Sequence, residues 1–300
     1  MNISNYHRYL YPLGIKNGVN FQTLKKISNA VDYVRQLRDS RMRQHLAKEV
    51  CASSPWSDYL DNRLAYRKFV AGDIPPCDQL TLLGRDIYNR QPDAIDTDRA
   101  LAGKSPITHL LNSLDTEELD RLISLAMASE IVEIMCGYFG TVPRFDNADI
   151  WISRPNEAIA GSQLFHIDKP DRHYTSLFIN LFDVDEERGP LSFFDKPTSD
   201  LIRSDLEYEK RYYLGDGRLG DEEVFGVVPE DRMLKLEGLS GSGAFVDTSE
   251  CLHFGSRCKS GKRVMMRITY MSASKPGMSR FSEHTNRYAN DLLRKKILAQ

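Results

Sequence analysis

Two rhythms of apolar and polar residues divide the chain. Val31, Val34, Leu37, Met42, Leu46 and Val50 recur at three- to five-residue steps through a Lys/Arg/Gln-rich background, the spacing of an amphipathic helix. Residues 52–58 break it, and Leu60 to Val70 reads as a second, short helix closed by Gly72 and Pro75-Pro76. Asp115-Thr116-Glu117-Glu118 has the form of a capping box and opens a helix with Leu119, Leu122, Ile123 and Ala126 on one face. Ile131 to Met135 continues or restarts that helix, and Gly137 and Gly140 end it.

Near residue 147 the rhythm changes. Ala148 to Ser153, Tyr174 to Val184, Leu191 to Phe194, Gly243 to Asp247 and Arg263 to Met271 are short runs rich in apolar and β-branched residues, bounded by Gly, Ser, Pro and Asp clusters. Glu187-Arg188-Gly189-Pro190 is a turn. Strands separated by turns rather than by regular helices predict an antiparallel sandwich or barrel, not alternating βαβ units. Residues 195–240 form a long polar insertion, and insertions of that length are commonly covers over a site or mobile segments. A helix over 281–298 closes the chain. The expected organisation is one domain over 1–300, with a mainly helical region over 1–114 and a β core over 115–275.

Composition places this pattern in a soluble globular protein: 41% of the 300 residues are hydrophobic and 27% charged. A net charge of −2 gives no bulk attraction to nucleic acid or to an anionic membrane. The first 70 residues carry twelve Lys/Arg against five Asp/Glu, which reads as a solvated helical surface. The stretch Met1 to Arg8 lacks the apolar centre of a signal peptide, and no run is long enough to span a bilayer. Five scattered cysteines, an odd number, favour free thiols and a cytoplasmic setting.

Candidate chemistry gathers at His166-Ile167-Asp168 and His253. Residues two apart on an extended segment point the same way, so His166 and Asp168 can share one ion if 164–168 is a strand. Two imidazoles and a carboxylate occupy one face of an octahedral ferrous ion and leave the other face open. Zinc bound by Cys251, His253 and Cys258 would lack a nearby second Cys pair. His173, five residues beyond Asp168, is placed as a substrate or outer contact. Arg263, Met265, Arg267 and Thr269 share one face of the last strand. A guanidinium inside a barrel calls for an anion, and a small dicarboxylate would suit it.

In this order the segments resemble the phytanoyl-CoA dioxygenase-like family of Fe(II)/2-oxoglutarate oxygenases. Gly161 to Asp168 is similar to the family's HxD strand, and Phe182 to Leu191 to its acidic turn, with Arg188 where Asn is frequent. Gly241 to Asp247 followed by His253 is similar to the strand that brings the distal histidine. Arg263 falls where the 2-oxoglutarate arginine is expected, and Gly255 stands where a Ser is common. Met135 to Pro143 resembles the passage into the core, and the likeness spans about 115–275.

The resemblance implies an α+β protein built on a double-stranded β-helix, a jelly-roll or cupin-like barrel, behind a helical amino-terminal region. It implies Fe(II) on His166, Asp168 and His253, and 2-oxoglutarate anchored by Arg263 with Arg267 in reserve. Asn180 and Gln163 are further cosubstrate contacts, and O2 is the oxidant. The expected reaction hydroxylates or desaturates a small molecule with release of succinate and CO2. The carboxylate of Asp168 disfavours halogenation, which needs a small residue there. Two other readings stay open: a catalytically silent cupin-like binding module, and a Zn or Mn lyase or isomerase. Tyr212, Tyr213, Arg211 and Arg218 are candidate contacts at the mouth, and neither the substrate nor the oligomeric state is readable.

Overall fold

The computed structural model describes residues 14, 16–90, 107–110, 114–155, 159–215, 217–255, 257–274 and 279–298. The stretch Met1 to Arg8 and Asp216 lie outside them.

A 31-residue helix, α1 (Phe21–Cys51), begins the described chain. Its inward side differs from the expected one. Val31, Val34 and Met42 are exposed, whereas Leu24, Ser28, Arg43 and Ala47 are buried. The inner stripe passes through Arg43, whose guanidinium donates to the carbonyls of Val142 (3.2 Å) and Lys296 (2.8 Å) and to Asp39 (2.6 Å). A buried guanidinium with those acceptors satisfies its donors, so a charged residue sits where the apolar pattern predicted none.

The short helix expected over 60–70 is instead a strand, β1 (Tyr66–Phe69), paired antiparallel with β7 (Gly243–Asp247). Ala65 adopts φ 61° just before it, its carbonyl accepts from Asp247 N at 2.9 Å, and Phe69 packs on Phe245. Pairing with a partner far along the chain overrides the local helical spacing. Pro75-Pro76 does not close a helix but opens one, α2 (Pro75–Asn89), where a missing N–H costs nothing.

The capping box forms as expected at the start of α3 (Thr116–Ala126): Glu118 N donates to Asp115 Oδ1 at 2.8 Å, and Asp115 N to Glu118 Oε2 at 2.9 Å. Helix α4 (Ser129–Phe139) ends at Gly140, φ 65°. Gly137 does not end it but lies within it, where a Cβ would come 1.9 Å from the carbonyl oxygen of Ser57. Among the described residues no single helix is long and apolar enough to cross a membrane.

With β2 (Ile107–His109), β3 (Arg144–Ser153), β4 (Tyr174–Asn180) and β9 (Arg263–Met271), the larger sheet has the order β1-β7-β4-β9-β3-β2, all neighbours antiparallel. A smaller sheet joins β6 (Leu234–Lys235), β5 (Ser192–Phe193) and β8 (His253–Phe254) in that order. Two isolated antiparallel bridges, His166 with His253 and Phe165 with Leu219, extend it beyond β8. The architecture is therefore mixed α+β with two antiparallel sheets.

Helices pack on one face of the larger sheet, where Leu177, Phe245 and Ile268 join Leu80, Ile134 and Met135 in the main core. Residues 196–233 are not a polar loop. They fold into α5 (Lys196–Asp205), α6 (Tyr208–Tyr213) and α7 (Asp221–Phe225). Ile202, Tyr208 and Val224 there form a second apolar cluster with Phe165, Leu219 and Phe254 of the smaller sheet. The chain closes with a 3-10 segment (Ser282–Tyr288) and α8 (Leu292–Leu298), and Phe281 stacks on Phe145 at 4.7 Å.

Candidate metal centre

His166 and His253 face one another across the bridge that joins their segments. His166 N donates to His253 O at 2.9 Å, His253 N to His166 O at 3.0 Å, and the two rings are 4.3 Å apart. The segment 164–168 is not the continuous strand expected. A 3-10 turn (Gly161–Gln163) leads into bridges at Phe165 and His166, after which Asp168 N donates to Thr248 O at 2.8 Å. His166 and Asp168 nevertheless reach the same point. One ligand atom each from His166, Asp168 and His253 lies within 4.8 Å of the others.

Each imidazole is oriented by the backbone. His166 Nδ1 lies 2.8 Å from Leu164 O, and His253 Nδ1 lies 3.0 Å from Cys251 O. A carbonyl only accepts, so each Nδ1 carries the proton and each Nε2 presents a lone pair inward. Burial brings the His166 pKa down to about 3, with the His253 ring adding to it, and burial lowers His253 as well. For Asp168 burial acts upward, but Arg267 first and the two imidazoles next prevail and bring its carboxyl to about 2. Neutral imidazoles and an ionised carboxylate are the forms that bind a metal.

The two arginines of β9 have different surroundings. Arg267 Nη2 donates to Asp168 Oδ2 at 2.9 Å, Nε donates to Ser176 Oγ at 3.0 Å, and the guanidinium lies over Trp151 at 4.8 Å. Arg263 is buried, with Nη1 donating to Gly189 O at 2.6 Å and Nη2 to Ser153 Oγ at 3.2 Å. Burial brings its pKa down to about 10. A Cβ on Gly255 would stand 3.5 Å from Arg263 Nη2, so the loop after the distal histidine passes over this guanidinium. Gly189 itself has φ 65°, and a Cβ there would meet the Arg257–Cys258 peptide at 2.5 Å. Only glycine allows that turn and keeps its carbonyl on Arg263.

Asn180 shares the inner face of β4 with Phe178, and its Nδ2 donates to Leu236 O at 3.2 Å and Ser242 Oγ at 3.4 Å. Gln163 is buried in the turn before His166. Its Oε1 accepts from Ala160 N at 3.3 Å and its carbonyl accepts from Arg257 Nε at 2.7 Å. His173 is turned away from the centre. It lies against Phe139 on the helical face of the sheet, with Nδ1 2.8 Å from Asp247 Oδ2. Tyr138 Oη and Ser249 Oγ donate to the same buried carboxylate at 2.9 and 2.6 Å. This network ties the loop that follows Asp168 to β7.

Of the mouth residues, Arg211 pairs with Glu223 at 2.7 Å. Tyr208, Tyr212 and Tyr213 surround the ammonium of Lys169, which also pairs with Glu209. One pair was not singled out from the sequence. His109 Nδ1 lies 2.5 Å from Asp149 Oδ2, and the His109 ring meets Trp151 edge-on at 5.6 Å. Asp149 is the backbone partner of Arg267, so this pair adjoins the Arg267–Asp168 contact. The strand β2 is three residues long and has too little pattern to announce itself.

No protein-family model matches the sequence, and no curated protein matches it. Among solved structures, the chain is similar to AviO1 from Streptomyces viridochromogenes Tue57 at 14% identity, over 74% of this chain and 96% of that one, with a TM-score of 0.47. It is similar to HygX from Streptomyces hygroscopicus, solved with nickel and 2-oxoglutarate bound, at 12% identity over 76% and 89%, TM-score 0.45. It is also similar to the non-heme alpha ketoglutarate dependent carbocyclase SnoK from nogalamycin biosynthesis, at 13% identity over 73% and 83%, TM-score 0.44.

Proposed function

We propose that this protein is an Fe(II)/2-oxoglutarate-dependent oxygenase acting on a small molecule. The observation that carries the reading is the convergence of His166, Asp168 and His253, with both Nε2 lone pairs turned inward and the carboxylate ionised. Three ligands on one side of an octahedral ion leave room for a chelating cosubstrate and O2. Zinc in a closed structural site would call for a fourth protein ligand, and the described cluster has three.

Arg263 is the group we assign to the distal carboxylate of 2-oxoglutarate. It is a buried cation beside the loop of the distal histidine, and a carboxylate there would offset the desolvation of its charge. Arg267 is already on Asp168, which makes it a positioning residue for the ligand rather than the cosubstrate anchor. The two sheets, with the bridges of Phe165 and His166 completing the smaller one, are read as the two layers of a double-stranded β-helix.

When bound, iron with 2-oxoglutarate supplies the oxidising power: O2 is consumed, 2-oxoglutarate becomes succinate and CO2, and a substrate C–H bond is oxidised. The protein's part is to keep the imidazoles neutral and oriented and the carboxylate ionised. Because position 168 is Asp, no ligand place is left for halide, so hydroxylation, desaturation or ring closure fits better than halogenation.

The test is anaerobic addition of Fe(II) and 2-oxoglutarate. A visible metal-to-ligand charge-transfer band is expected in the wild type and not in His166→Ala. No band in the folded wild type, or the same band in the variant, sinks the reading. A binding module without turnover would show the band but release no succinate in air.

A further inference from the structure

Arg218 stands out among the cations around the centre. Arg267 is engaged with Asp168, Lys169 with Glu209 and Arg257 with Asp221. Arg218 is exposed and makes no hydrogen bond or ion pair among the described residues.

Its direction follows from strand register. Phe165 and Leu219 exchange backbone hydrogen bonds at 3.0 Å in an antiparallel bridge, and both side chains are buried in the outer apolar cluster. One step along, Arg218 lies opposite His166. Residues opposite one another in an antiparallel pair project to the same face, here the face that carries the ligand imidazoles. Arg218, His166 and His253 therefore form a row across the smaller sheet.

The root of Arg218 is held firmly. Tyr208 Oη donates to Gly217 O at 2.9 Å while accepting from Ile167 N at 3.1 Å, so one phenol links the Arg218 turn to the His166 segment. The Tyr212 ring presses on Gly217, where a Cβ would come within 2.6 Å. Arg218 stands at one end of this row, on the side of His166 away from His253. A ferrous ion with one carboxylate and a 2-oxoglutarate dianion is net negative. An anionic substrate approaching it needs a countercharge, and a cationic one would be repelled by the Arg218 guanidinium.

We propose that Arg218 is the substrate anchor of this centre, binding a carboxylate, phosphate or sulfate group of the molecule to be oxidised. The inference rests on the oxygenase reading above and names the substrate's chemical class.

The experiment separates the two. Protein loaded with Mn(II) and saturated with 2-oxoglutarate is titrated with trifluoroacetate and with monofluorophosphate, and with trifluoroethanol as the neutral control. Paramagnetic broadening of the 19F signals is the readout. Both or one of the anions should broaden in the wild type, and the stronger probe identifies the anion class. Arg218→Gln should weaken that binding by about tenfold or more, and Arg218→Lys should restore part of it, as expected for a charge-assisted contact. Equal broadening in Arg218→Gln, no broadening by either anion in the wild type, or equal broadening by trifluoroethanol overturns the assignment. So does a loss of 2-oxoglutarate affinity in Arg218→Gln with anion binding unchanged. Bound Mn(II) without the Fe(II) and 2-oxoglutarate band overturns instead the reading of the centre.

Discussion

Arg267 Nη2 and Asp168 Oδ2 are 2.9 Å apart, while His253 Nε2 lies 3.9 Å from the same oxygen. One carboxylate oxygen is thus shared between a guanidinium fork and the point where the imidazoles converge. Stacked over Trp151 and bonded to Ser176, the guanidinium has a fixed plane and fixes the carboxylate in turn.

Arg267→Lys keeps the charge and loses the fork. Its affinity for Fe(II) or Co(II) should fall roughly tenfold, within the range found for outer partners of metal ligands. Arg267→Gln should fall less, because removing a cation near the ion offsets the lost orientation. Metal titration by absorbance separates the two effects, and unchanged affinity in Arg267→Lys would show that Asp168 needs no such support.

For Arg263→Gln, 2-oxoglutarate affinity should drop roughly a hundredfold, the scale of a buried bidentate charge contact. Metal affinity measured without 2-oxoglutarate should stay at the wild-type value. The charge-transfer band titrated with 2-oxoglutarate reads the first quantity. An unchanged midpoint would move the anchor elsewhere.

Legibility from sequence followed the length and self-sufficiency of each signal. The nine residues of β9 and the five of β7 carry their own pattern, and the capping box at Asp115 needs only neighbours in the chain. His166, Asp168 and His253, which the fold brings together, stood out in the sequence because few residue types offer metal-binding atoms. Tyr66 to Phe69 was not, because its strand character comes from β7, some 180 residues away. Residues 196–233 are polar on average, yet a few buried side chains such as Ile202 and Val224 fold them onto the smaller sheet. Arg263 and Arg267 look equivalent on one strand face, and only their partners, Gly189 and Asp168, tell them apart.

Asp247 should make stability depend on acid. Burial acts to raise its carboxyl pKa, but bonds from His173, Ser249 and Tyr138 outweigh that and leave it below the ordinary value. A depressed carboxyl stabilises the fold above the unfolded pKa of about 4, and that contribution is lost as pH falls through the folded value. Asp247→Asn should cost about 2 kcal/mol at neutral pH. Its urea midpoint should also vary less than the wild type's between pH 5 and pH 2, and parallel pH profiles would refute the charge's role.

Two glycines of one helix should respond differently to alanine. At Gly137 the added Cβ meets the Ser57 carbonyl oxygen at 1.9 Å, so α4 or the chain at Ser57 must move. That overpacking should cost about 2 kcal/mol or more. At Gly140 there is open space and only the positive φ resists, for about 1 kcal/mol. Denaturant melts of the two variants give the comparison, and a larger loss at Gly140 would contradict it.

The acceptors that aim the two imidazoles are the main-chain oxygens of Leu164 and Cys251. Every amino acid supplies that oxygen, so the aim of the rings is insulated from point mutation at the residues providing it. Evolution or a protein engineer can vary the side chains at 164 and 251 and leave the ligand directions intact. The vulnerability lies instead in the chain path, where an inserted or deleted residue between 164 and 166, or between 251 and 253, would unhook a ring at once.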